Sequence, residues 1–101
     1  MSQRKNEYAY TVSLEKDDYS RVESLFSDRD RAVKYAEDSA LALFEDYLGE
    51  ASTGDLHKFL ADNAGRIRLK AEIDEYDDEH MTCIAEEKTI GAFTIQKLFM
   101  E

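Results

Sequence analysis

Apolar residues change period several times along this chain, and each change marks an element. Tyr8, Tyr10, Val12 and Leu14 alternate with Ala9, Thr11 and Ser13, the period of two expected of a strand with one buried face. Glu15 to Asp18 supply a polar turn, and Arg21 to Phe26 reads as a return strand, so the chain opens with a β-hairpin. From Ser27 to Gly49 the period lengthens. Val33, Ala36, Ala40, Leu43, Phe44 and Tyr47 recur at steps of three and four, which predicts one long helix around which the rest is organised. Its other face carries Arg31, Lys34, Glu37, Asp38, Glu45 and Asp46. Ser27 is the expected N-cap, with Asp30 three residues on in an imperfect capping box. Asp28 and Asp30 sit where the helix dipole favours negative charge, and Gly49 can take the left-handed conformation that ends the helix. Phe26 is placed to staple onto the first helical turns.

After the polar link Glu50 to Gly54, a second and shorter helix is expected through Leu56, Phe59, Leu60 and Ala64, capped by Ser52 with Asp55 or by Thr53, and ended by Gly65. Arg66 to Ile73 alternates most cleanly, with Ile67, Leu69, Ala71 and Ile73 on one face and Arg66, Arg68, Lys70 and Glu72 on the other. Residues 74 to 80 make a turn, Met81 to Glu86 a fourth strand, and Ala92 to Leu98 a fifth, although AFTIQKLFM also fits one face of a short helix. No proline bars any strand from the middle of a sheet. The order β-β-α-α-β-β-β predicts an α+β fold, an antiparallel sheet with one polar face and two helices covering the other.

Composition adds limits. A chain of 101 residues makes one domain, with residues 1–7 as a loose tail. No apolar run reaches the length of a membrane span, the N-terminus lacks the apolar stretch of a signal peptide, and Cys83 has no cysteine to pair with, so a cytoplasmic protein is expected. A net charge of −10 disfavours direct contact with nucleic acid or an anionic membrane and favours a basic protein partner.

Candidate chemistry concentrates in Glu72 to Glu79, where six of eight residues are acidic. As a calcium loop beginning at Asp74 the segment fails, with Glu79 at the position that needs glycine and Ala85 where the bidentate glutamate belongs. As a catalytic carboxylate pair it lacks the cleft that raises a carboxyl pKa. As a contact surface it offers an aromatic anchor, Tyr76, ringed by charge. His80 and Cys83 in H-x-x-C spacing, with His57 elsewhere, do not complete a zinc set. Arg66, Arg68 and Lys70 form a basic stripe that neighbouring acids are expected to neutralise. Neither a nucleophile elbow nor a glycine-rich phosphate loop is present. No catalytic residue, metal or cofactor is therefore expected.

Glu37, Asp38, Glu45, Asp46 and Glu50, with the run from Glu72, suggest a sharper function. Carboxylates spaced along a helix and an adjoining turn can imitate the phosphates of a duplex and occupy the basic groove of a DNA-binding protein. Phe26 to Ala36, FSDRDRAVKYA, resembles the strand end and helix start of many small phage and prophage proteins. That resemblance implies an accessory protein that binds a host factor, as phage-encoded inhibitors of restriction or CRISPR complexes do. The expectation is a non-enzymatic inhibitor of a basic, nucleic-acid-handling host protein, with Glu37, Asp38, Glu45, Asp46, Asp74, Tyr76, Asp77, Asp78 and Glu79 as the contact residues. The alternative is a homo-oligomeric assembly protein that pairs through a sheet edge, most easily the terminal strand Ala92 to Leu98.

Overall fold

A computed structural model describes residues 7–16, 19–52 and 54–100. The expected tail up to Asn6, Asp17 and Asp18 of the first turn, and the candidate cap Thr53 lie outside the described residues. The elements follow the expected order: β1 (Glu7–Lys16), β2 (Tyr19–Phe26), α1 (Arg29–Leu48), α2 (Leu56–Asp62), β3 (Ile67–Ile73), β4 (Glu79–Ala85) and β5 (Lys88–Met100). The strands form one antiparallel sheet in the order β2-β1-β5-β4-β3. The fold is α+β.

Two expectations about the last strand are settled by this order. The segment from Ala92 is strand and not helix, and it runs through the centre of the sheet between β1 and β4. Up to Ile95 it is paired on both sides and past Ile95 with β1 alone; the outer strands of the sheet are β2 and β3.

Both helices pack on one face. Val12, Leu14, Phe93, Ile95, Met81, Cys83 and Ile67 point from the sheet into a single core closed by Ala32, Ala36, Ala40, Leu41 and Phe44 of α1 and by Leu56 and Phe59 of α2. The fully buried Phe44 and Phe93 each contribute on the order of 2–3 kcal/mol through removal of apolar surface from water. The three buried alanines of α1 recur at steps of four and bring the helix down on a ridge of methyl groups. Leu43 settles over Gly91 of β5, where an added Cβ would lie 2.6 Å from its Cδ1.

The helix is rotated slightly from its expected setting. Ala32 and Leu41 are buried where only their neighbours were expected to be, and Tyr47 stays exposed, its hydroxyl donating to Glu86 at 2.9 Å. The N-cap is Asp28 and not Ser27: its carboxylate accepts from the Asp30 N–H at 3.0 Å. Gly49 closes the other end at φ 71°. In α2 the cap is Asp55, which accepts from the Lys58 N–H, and Asn63 takes the C-cap place expected of Gly65. Phe26 does staple the hairpin to α1, against Tyr35 with ring centroids 5.4 Å apart.

Burial along β3 fades. Ile67 is buried, Leu69 half-buried, and Ala71 and Ile73 exposed, because the seven-residue α2 covers only the start of this edge strand. The alternation in sequence is right about facing but not about cover. On the opposite face no described element lies over the sheet, and that face is not uniformly polar, since Val22, Leu25 and Leu98 emerge there beside Ala9, Thr11 and Ser13.

Candidate functional site

The β3–β4 turn is built by one side chain. Asp74 accepts from the Tyr76 N–H at 2.8 Å, from the Asp78 N–H at 3.1 Å and, with the proton on Nε2, from His80 at 2.7 Å. His80 Nδ1 in turn accepts from the Thr94 hydroxyl of β5 at 3.3 Å. Backbone bonds from Asp74 N to Asp78 O and from Asp77 N to Asp74 O close the loop, with Asp77 in the left-handed region at φ 66°. The hydrogen bond from His80 holds the Asp74 carboxyl below its ordinary value of 3.8, aided by the two backbone N–H groups and opposed by partial desolvation.

This scaffold displays apolar surface. Tyr76 is 74% exposed and Ile73, at the end of β3, 62%. Glu75 and Asp77 are exposed around them, and Asp78 is half-buried. Beside the turn a cleft of about 280 Å³ opens between the start of α1 and the end of the sheet, lined by Tyr10, Arg29, Ile73, Asp77, Ile95 and Lys97. Glu79 pairs with Arg29, one of the residues that line the cleft, and keeps little exposure.

The expected contact residues do not form one surface. Tyr76, Asp77 and Asp78 share the turn, Asp74 spends its carboxylate on the loop itself, and Glu79 is paired. Glu37 lies 3.5 Å from His57 of α2, Asp38 pairs with Lys34 at 3.1 Å, and Glu45 accepts from the backbone N–H of Ser52 at 2.9 Å and from its hydroxyl. Glu45 and Asp46 stand near the end of α1 that faces the β4–β5 turn, while Arg29 at the start of α1 meets the β3–β4 turn. A helix of 20 residues spans roughly 30 Å, so the two acidic groups occupy opposite ends of the molecule. Glu50 pairs with Arg66 at 3.1 Å. A row of bare carboxylates running along α1 into the turn is not what the chain builds.

Arg66 lies in the turn before β3, outside the strand stripe, and Lys70 is neutralised along its own strand by Glu72 at 3.4 Å rather than across strands. His80 and Cys83 point to opposite faces of β4: the ring bonds Asp74 and Thr94 on the uncovered face, and the thiol is buried in the core. Desolvation pushes the Cys83 thiol up to about 12. Among the described residues no three His, Cys, Asp or Glu side chains converge as metal ligands, and no helix is long and apolar enough to cross a membrane. The cleft escaped the sequence reading because its lining comes from four separate segments. Ile73 escaped because its place in the alternation marked it for the core.

The chain matches no family model, no curated protein and no solved structure.

Proposed function

We propose that this is a non-enzymatic binding protein that engages a basic protein partner through the β3–β4 turn. The observation that carries the reading is the pairing of Tyr76 and Ile73, two large apolar side chains held mostly exposed on a turn whose backbone Asp74 has already fixed. A rigid aromatic anchor loses little conformational freedom on binding, and interface energy concentrates in such anchors. Glu75, Asp77 and Asp78 set the charge of the partner, and the adjacent cleft offers a seat for one of its side chains. Of the helix acids, Asp38 pairs with Lys34 and Glu45 accepts hydrogen bonds from Ser52, and these two and Glu37 stand apart from this contact.

A basic surface of the required kind is found on proteins that handle nucleic acid, and blocking such a protein, a restriction or CRISPR component among them, is the specific form of this proposal. Capture from a nuclease-treated bacterial lysate tests it. The wild-type chain is expected to retain a basic protein that is released at moderate salt and competed by duplex DNA. The triple variant Glu75→Lys, Tyr76→Ala, Asp77→Lys is expected to lose it while melting as the wild type does. Equal capture by the triple variant would remove the turn from the function.

A further inference from the structure

The cleft beside the β3–β4 turn exists because the strands end at different levels. β4 begins at Glu79, opposite Ile95, whereas β5 runs on to Met100 against β1. On the helix side this end of the sheet is carried by β5 and β1, which bring Ile95, Lys97 and Tyr10 together on one face. Arg29 from the start of α1, with Ile73 and Asp77 from the turn, completes a space of about 280 Å³. That is below the roughly 300–1,000 Å³ of pockets that enclose a drug-sized ligand, so it suits a single residue of a chain. The lining is divided by charge. The turn contributes the exposed carboxylate of Asp77, and α1 and β5 contribute the cations Arg29 and Lys97. Arg29 commits Nη2 to Glu79, and the rest of its five-donor fork makes no hydrogen bond among the described residues. The hydroxyl of half-buried Tyr10 makes none there either. Ile73 and Ile95 supply apolar surface between these polar groups.

We propose, resting on the reading of the turn as a contact for a basic protein, that the cleft captures the C-terminus of that partner. The terminal carboxylate accepts from Arg29, Lys97 and the Tyr10 hydroxyl. The last side chain is apolar and packs on Ile73 and Ile95, and the basic residues before it meet Asp77 and Glu75. A C-terminal residue presents a carboxylate and an apolar side chain on one Cα. An internal aspartate or glutamate spends its side chain on the charge and leaves the two isoleucines uncovered. Opposed charge gives direction as well as affinity, because a chain lying the other way would set its carboxylate against Asp77 and its cations against Arg29. Tyr76 does not line the cleft, and stays available to the body of the partner.

Fluorescence anisotropy of the full chain with the labelled peptide Gly-Lys-Arg-Lys-Ser-Leu, as the free acid and as the C-terminal amide, tests the capture. The free acid is expected to bind about tenfold more tightly, since the amide forfeits charge-assisted hydrogen bonds to the cations. Replacing the last leucine by glycine is expected to cost about tenfold as well, from apolar surface left in water. Y10F/K97Q is expected to cut the preference for the free acid to about threefold or less, as two of the three donors go. D77N, which puts a residue tolerant of left-handed backbone at φ 66°, is expected to weaken both forms alike. A preference untouched by Y10F/K97Q overturns terminal capture. So does equal binding of acid and amide by the wild type; if the triple variant of the turn then binds neither form, the turn keeps its role and the cleft alone loses its own. Binding of neither form up to about 1 mM also overturns terminal capture, and capture from lysate then decides the reading of the turn by itself.

Discussion

The two turns that flank β4 are both acidic and both place residues other than glycine at positive φ, yet they are held in different ways. The β3–β4 turn is organised from inside, by the Asp74 carboxylate reaching over its own loop. The β4–β5 turn consists of Glu86 and Glu87, at φ 51° and 70°, joining Ala85 to its partner Lys88. Two consecutive left-handed residues make the tight hairpin turn usually built from Asn-Gly, and each costs about 1 kcal/mol when it carries a Cβ. This turn is held from outside: the Glu86 N–H donates to the Arg66 carbonyl at 2.9 Å, and its carboxylate accepts from Tyr47 of α1. A turn can thus be specified by its own residues or imposed by the elements around it. Only the first kind announces itself in sequence.

Removing the internal organiser should have the largest effect. Asp74→Ala strips two backbone N–H groups and His80 of their acceptor at once, and is expected to lower the melting temperature by roughly 5–10 °C in thermal denaturation. The same contact gives a pH signature. The folded-state pKa of Asp74 lies below its ordinary value of 3.8, so its stabilisation is complete above that pH and is lost as pH falls through the lowered value. The melting-temperature gap between wild type and Asp74→Asn is therefore expected to be narrower in melts below about pH 4 than at pH 5.

The opposite sign is expected at the imposed turn. Glu87→Gly relieves a left-handed residue whose side chain makes no hydrogen bond or ion pair among the described residues, and should raise stability by about 0.5–1 kcal/mol in urea titration. Tyr47→Phe removes the outside support through one exposed hydrogen bond and is expected to lower the melting temperature by only about 1–2 °C.

The same division explains what the sequence makes legible. Every element and its order could be read, because alternation in β1 and β3 and the three-four spacing of α1 are local. A fourth strand ending at Glu86 and a fifth beginning at Ala92 leave Glu87 to Gly91 as the expected link between them. In fact Gly91 sits inside β5 to admit Leu43, and the turn falls on two glutamates that no local rule would choose. The cap moved by one residue from Ser27 to Asp28 for a lesser reason, as both side chains can accept from an amide there. At the candidate site the acidic run and Tyr76 were visible in sequence, whereas the pairing of Glu79 with Arg29, fifty residues away, and the exposure of Ile73 depend on where α1 and α2 come to rest.

The central place of β5 also dictates when the fold can exist. The hairpins β1–β2 and β3–β4 form from neighbouring segments, but every bond that ties them into one sheet runs through a strand that follows all the others in the chain. Until β5 is synthesised, β1 and β4 each present an open inner edge, and the underside of α1 has only half its floor. Assembly of the five-stranded sheet therefore waits for β5, and contacts between distant parts of the chain slow it. A chain stopped before Lys88 would keep its helix signals and both hairpin sequences and still have no sheet to fold onto.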